Sequence, residues 1–221
     1  MSYLKITNTF FASVVVLNLF LFASSSTVYA TSQNQNYSIS KQRTIDTFKN
    51  KLDVIDKVNP VVRGNIKEEH SNEVRFEGKE KDIKFDLKEG KITINKNTNF
   101  QIELPKTLSY QFEGDRVIGY DHTGNISNSI ENVDGGFRIV INIYESKAST
   151  YSYEFPLVAI SGEKYISNED GTVWLVDSKG KRLFAIAHPW AVDAKNKNLK
   201  TWYTVENDGT VLRQHISLKG V

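Results

Sequence analysis

The chain is predicted to be mostly β, an antiparallel sandwich or open barrel in two β-rich parts with one N-terminal amphipathic helix. Three observations carry that prediction. From Val74 onward apolar and polar residues alternate with a period of two, through VRFE, DIKFDL, KITIN, FQIEL, LSYQFE and RVIGY. Turn residues punctuate these runs at Glu77-Gly78, Glu89-Gly90, Asn95 to Asn99 and Gly114-Asp115. The gaps between runs are too short for a crossover helix, which disfavours a parallel sheet.

In chain order, residues 1–30 read as a secretory leader. Lys5 precedes an apolar run from Phe10 to Ala23, and SSSTVYA follows with Val28 and Ala30 as the small residues of a cleavage site. The run is shorter than the ~20 residues that cross a hydrocarbon core of ~30 Å. The mature chain is thus expected to start near Thr31, outside the cell and with no membrane span after leader removal. Residues 31–40 (TSQNQNYS and two more) have little to bury and should be disordered. Residues 41–59 should hold the helix: Ile45, Phe48, Leu52 and Ile55 form a stripe, Ser40 can cap the start, and Asn59-Pro60 ends it. Such a helix is marginal alone and needs a sheet to lie on.

Residues 61–150 form the first antiparallel region and residues 151–221 a C-terminal β-hairpin module, with the seam placed at Glu145 to Thr150 or Pro156 to Glu163. Period-two runs continue through GFRIVINIYES, TYSYEFPLV, GTVWLVD, KRLFAIAH, KTWYTVE and TVLRQHISL, about a dozen strands in all. Asp170-Gly171-Thr172-Val173 is echoed by Asp208-Gly209-Thr210-Val211. The favoured reading is two hairpins with two-residue Asp-Gly turns; a degenerate repeat is the alternative.

Composition narrows the function classes. The 28 basic and 26 acidic residues give a net charge of +2, and loss of Lys5 with the leader lowers it to +1. That balance argues for no nucleic-acid partner. With no cysteine, an exported chain has no disulfide scaffold, thiolate zinc site or cysteine nucleophile.

Motifs for catalysis are weak. His70, His122, His188 and His215 have no metal-ligand spacing, and neither HExxH nor an Asp-rich calcium loop occurs, so no cofactor or metal is expected. His122, in Tyr-Asp-His-Thr-Gly, reads as a polar turn more readily than as an acid/base group. No Gly-x-Ser-x-Gly elbow is present; Ile160-Ser161-Gly162 lacks its first glycine. The aromatics of the last third are open to two readings: exposed on one face they could stack on sugars, and buried they would fill the core. Core is favoured for Trp174, and also for Trp190 and Trp202, which with Tyr203 and His188 remain the candidate binding surface.

The run from Tyr153 to Ile216 carries a denser pattern: Asp170-Gly171, Asp177-x-x-Gly180, Pro189-Trp190-Ala191-x-Asp193-Ala194, Thr201-x-Tyr203 and Leu212-x-Gln214. This resembles a Pro-Trp-Ala-x-Asp-Ala module of secreted Gram-positive, mostly actinobacterial, proteins of unassigned function. His188 stands where that family usually has alanine, and Asn196 replaces its turn glycine. Family members usually continue through a linker into a variable C-terminal domain, whereas this chain stops at Val221. The resemblance implies an extracellular structural or carrier module and supplies no catalytic residues. Pro189, Asp193 and Gly171 have fold-making roles on physical grounds as well: Pro189 cannot donate to a ladder and should end the strand from Arg182, and Asp193 can accept backbone N–H groups across the following turn.

The expectation is therefore a secreted, non-enzymatic module that presents, carries or restrains a protein partner or downstream domain. The alternative is a cell-wall or glycan-binding module using the C-terminal aromatics, and the third reading is a secreted hydrolase.

Overall fold

A computed structural model gives the fold, describing residues 11–19, 41–42, 45–46, 66–70, 72–76, 82–95, 99–104, 108–121, 126–133, 136–143, 148–158, 161–193 and 195–219. The expected disordered stretch 31–40, most of the expected helix, the cleavage site and His122 lie outside these residues.

The strands are β1 (Phe11–Leu19), β2 (Ile66–His70), β3 (Glu73–Phe76), β4 (Asp82–Asp86), β5 (Lys91–Asn95), β6 (Asn99–Glu103), β7 (Ser109–Glu113), β8 (Arg116–Tyr120) and β9 (Ile126–Val133). There follow β10 (Gly136–Ile143), β11 (Thr150–Val158), β12 (Lys164–Ser167), β13 (Val173–Val176), β14 (Arg182–Ile186), β15 (Trp190–Asp193), β16 (Thr201–Glu206) and β17 (Val211–Ser217). They form two sheets. The first runs β12-β13-β14-β1-β10-β9-β8-β7, with β15 also paired to β1; the second runs β16-β17-β11-β6-β5-β4-β3-β2. The chain is thus mostly β, as the period-two pattern predicts, and neither sheet closes into a barrel. Among the described residues the strand pairings are antiparallel except the three made by β1, which lies parallel to β10, β14 and β15.

Each sheet takes strands from both sides of residue 150: in the second, β11 pairs with β6 on one edge and β17 on the other, and in the first, β1 joins β10 to β14 and β15. The seam expected from sequence is therefore not a boundary between sheets. One continuous core runs from Val74 to Leu218 and draws on both sheets. Alternation builds it directly: in β3, Val74 and Phe76 are buried and Glu73 and Arg75 are not. Burying each such side chain contributes about 1.5–3 kcal/mol, more than an exposed ion pair supplies.

Tyr110 is the joint between the sheets. A Cβ on Gly90, in the β4–β5 turn, would lie 2.7 Å from its ring, and one on Gly119, in β8, would lie 2.6 Å from it. Both glycines leave room for that ring. Phe85 meets it edge-on with centroids 5.2 Å apart. Nearby, Asn128 Nδ2 of β9 donates to the Tyr153 hydroxyl of β11 at 3.2 Å. Burial pushes the Tyr110 and Tyr153 hydroxyls above their ordinary pKa.

The first sheet is buried on its outer face as well, along β8 to β10. There Ile118, Tyr120 and Val140 form a second cluster with Ile45, against which Trp190 packs. Lys41–Gln42 and Ile45–Asp46 are helical, and Gln42 Nε2 donates to Asp46 Oδ1 at 2.8 Å, a contact of helical i,i+4 spacing. Ile45, the first residue of the predicted stripe, accordingly lies on the sheet. On the same face Glu131 is held by two arginines: Arg116 Nη1 donates at 2.8 Å and Arg138 Nε at 3.0 Å.

Candidate binding surface

Three hairpin loops of the C-terminal third share one design. In each, three residues follow a flanking Asn or Asp, and the third takes positive φ: Gly171 at 81°, Gly180 at 78° and Asn196 at 63°. The flanking residues are Asn168, Asp177 and Asp193, whose carbonyls accept from Gly171, Gly180 and Asn196 and whose amides donate to Thr172, Lys181 and Lys197. Each is a three-residue hairpin loop closed by a left-handed residue. Asp193 Oδ1 accepts from the amides of Lys195 at 2.8 Å and Lys197 at 2.9 Å, the role inferred for it from sequence. Asp177 does the same for Lys179 and Lys181, both at 2.9 Å. Asn196 replaces a glycine at little cost because asparagine tolerates the left-handed region.

The two Asp-Gly pairs, expected to form matching two-residue turns, do neither. Asp170-Gly171 ends a three-residue loop that begins at Glu169, because Asn168 and Thr172 close it by backbone and side chain. Around Asp208-Gly209 three successive residues, Asn207, Asp208 and Gly209, have positive φ. Gly209 lies against β12, where a Cβ would come 2.9 Å from the Tyr165 carbonyl. Only glycine lets this tip pack so closely.

Pro189 lies in the gap between strands: β14 stops at Ile186 and β15 begins at Trp190. The ring of His188 lies over the Gly171 turn, with Nδ1 3.3 Å from where a Cβ on Gly171 would stand. His188 is exposed, and its charge is a minor influence on Asp170. That carboxyl sits below its ordinary pKa mainly because the Thr172 hydroxyl, and next the Thr172 amide, donate to it.

The aromatic candidates do not form a row. Trp174, for which core was favoured, is 38% exposed, because Val173 and Leu175 on either side of it point into the core. Arg182 stacks over its ring at 5.2 Å. Trp190 is half-buried on the outer face of the first sheet. Tyr203 faces the core of the second sheet, and burial pushes its hydroxyl above the ordinary range. Trp202, its neighbour in β16, faces solvent at 36% exposure, against the core reading.

Trp202 belongs to a network on the solvent face of β11, β16 and β17. Its indole stacks on His215, with centroids 5.1 Å apart and planes 11° apart, and Lys200 Nζ lies 5.4 Å from its ring centroid. Thr204 donates to Glu206 at 3.0 Å, so the 2.8 Å contact between Thr204 and His215 Nε2 assigns the proton to that nitrogen. Burial, then the Arg213 charge, lowers the His215 pKa, which favours the neutral ring. Arg213 Nε donates to both Glu206 oxygens at 2.9 and 3.1 Å, and its Nη2 pairs with Glu154 at 2.5 Å. Hydrogen bonding from Arg213 is the main reason the Glu206 carboxyl is lowered. Register explains the assembly: Trp202 stands opposite His215, and Arg213 opposite both Thr204 and Glu154. Sequence reasoning missed Arg213 and His215. The signal was available in the shared parity of TWYTVE and LRQHI once those strands are paired.

Among the described residues no group of three His, Cys, Asp or Glu side chains is placed to hold a metal, and no helix is long and apolar enough to cross a membrane. No protein-family model, curated protein or solved structure matches the chain.

Proposed function

We propose that this is an exported, non-enzymatic β module that docks a protein partner on the β11–β16–β17 face and thereby presents, carries or restrains it. The observation that supports this is the Trp202–His215–Arg213 network on the solvent face of β11, β16 and β17. Trp and Arg dominate the energetics of protein interfaces, and here both are pre-positioned by neighbours in register, which lowers the ordering cost of binding. The resemblance of Tyr153 to Ile216 to a secreted Gram-positive module of unassigned function, which implies a structural or carrier role, and the leader-like residues 1–30 point the same way. Sugar stacking is less well supported, since His215 and Lys200 already lie against the Trp202 ring and the other tryptophans stand on different strands.

The test is photocrosslinking from Ser217 in the producing bacterium's culture medium. A discrete adduct with the native chain, absent from a Trp202→Ala, Arg213→Ala variant of unchanged circular dichroism, is the expected result. The same adduct in both, or hydrolysis of wall material that the variant lacks, would reject the reading.

A further inference from the structure

We propose that the place held by Phe11–Leu19 is a strand-acceptor slot, filled by the chain's own leader before processing and afterwards by an extended apolar segment of a partner running parallel to β10. This rests on the export reading above and names the chemistry of the partner.

The ladder defines the slot. Ser13 to Leu19 pair with Arg138 to Ile143 of β10 on one side. On the other, Phe11 and Ala12 pair with Ala185 and Ile186 of β14, and Val16 to Leu19 pair with Trp190 to Asp193 of β15. β14 and β15 together form one edge interrupted at residues 187–189, and the β1–β10 register shifts between Val14 and Val16. Among the described residues, β10 pairs apart from β1 only with β9 and β14 only with β13, while the other edge of β15 meets residues 197–199 through the isolated Val192–Asn198 bridge. Removing residues 1–30 therefore opens two facing edges. Of the residues at those edges, Val140, Ile141, Ile143, Ile186, Ala191 and Val192 are buried and Trp190 is half-buried. A bare slot would offer unpaired backbone between apolar walls, the form of edge that pairs with another chain. Adding a strand satisfies both the hydrogen bonds and the walls.

A second observation points to an exchangeable occupant. With β1 in place, Asn142 Oδ1 on β10 and Trp190 Nε1 on β15 are buried without hydrogen-bond partners. Val16 lies at the register position opposite both Val140 and Trp190, and Asn18 lies opposite Asn142. β1 meets the backbone demand and leaves an acceptor and a donor unmet beside it, each a cost that a better occupant removes. The partner segment is thus apolar, uncharged, about nine residues long, and carries a hydrogen-bond acceptor such as a hydroxyl at the position of Val16, opposite Trp190.

The experiment uses the form that a Gram-positive host releases when expressing the full chain. Mass spectrometry comes first: residues 11–19 retained on the released protein would overturn both the leader reading and the slot. With the leader absent, the protein is titrated with a peptide of Phe11–Leu19 flanked by lysines, followed by tryptophan fluorescence, amide exchange and melting. We expect saturable one-to-one binding, new protection in β10 and β15, and a raised Tm. A Val16→Pro peptide should bind at least tenfold more weakly, because proline cannot donate to the ladder, and a Val16→Thr peptide should bind more tightly than the native one. If the released chain is unfolded, folding on peptide addition supports the slot and failure to fold overturns it. No binding, equal binding of the proline peptide, or full protection of β10 and β15 before peptide is added would overturn the slot while leaving export standing. A threonine peptide that binds no better would overturn the polar position.

Discussion

Strands β10 and β17 have similar length and similar alternation in sequence, yet β10 is buried along all eight residues, whereas β17 alternates buried with half-buried positions. The difference lies on their outer faces. In β17 the outward residues Arg213 and His215 keep solvent contact and build a charged surface network. In β10 the outward Arg138 has no exposed surface, and its Glu131 partner in β9 is 1% exposed. A sheet face covered by other parts of the chain has to satisfy its polar groups internally, while an open one has water as a partner. The same kinds of residue therefore do structural work on the first sheet and are available for binding on the second.

The largest effect should come from breaking the covered face at its charge. Arg138→Leu leaves Glu131 buried with Arg116 as its remaining arginine, and breaking a buried pair typically costs about 3–5 kcal/mol. Chemical denaturation should show a loss of that size, with the equivalent change at Arg213 leaving the midpoint nearly unmoved. Comparable losses at the two arginines would erase the distinction between the faces.

A somewhat smaller loss should follow from thinning the cover. Ile45 is buried against Ile118, Tyr120 and Val140, and an Ile-to-Ala truncation in a core costs about 2–5 kcal/mol. Ile45→Ala should fall near the lower end, since the site lies at the margin of the fold. An unchanged melting temperature would mean that the N-terminal helix does not cover the sheet.

The core between the sheets supplies a pH dependence. Burial raises the hydroxyls of Tyr110, Tyr153, Tyr165 and Tyr203 above their ordinary value of 10, and that of Tyr151 to about 12. The folded chain holds these protons at pH values where the unfolded chain releases them. Their contribution is therefore complete below about pH 10 and is lost as pH rises further. Tyrosinate absorbance from these residues should appear together with the loss of near-ultraviolet dichroism, not before it. Early titration of all ten tyrosines would place the hydroxyls in water.

Much of the fold is legible in the sequence because alternation and turn chemistry act locally. VRFE and KITIN show which residues face the core, and Asp193 shows how its loop closes. Burial of the opposite face is not local. Nothing in ISNSIENV or GFRIVINI distinguishes polar residues that face solvent from those that face a cover, so Glu131 and Arg138 look like surface residues. Parity has the same limit at VWLV, where alternation alone cannot choose which of Val173 and Trp174 is inside. The paired Asp-Gly sequences mislead for a related reason: loop length depends on where the flanking ladder ends, which Asn168 sets at one site and the fit of Gly209 against Tyr165 sets at the other. The binding network was hidden because it exists only across strands, in the register that brings Trp202 to His215.

The smallest effect is expected at His188, which belongs to neither outer-face network. Its exposed ring rests on the Gly171 loop, and that loop is closed by Asn168, Thr172 and the Asp170 carboxylate without it. His188→Ala should therefore change stability by no more than about 0.5 kcal/mol, as for ordinary surface positions. A finer readout is available, because the His188 charge helps hold the Asp170 carboxyl down, though less than the Thr172 bonds do. In the variant, the Asp170 pKa followed by NMR should move slightly upward and remain below its ordinary value. Replacing Thr172 with valine should raise it further, by removing the hydroxyl that donates to Asp170 at 2.6 Å. A larger shift from His188→Ala than from Thr172→Val would make the histidine the principal partner of that carboxylate. A paired imidazole and carboxylate on the C-terminal loops would then return acid/base chemistry to consideration.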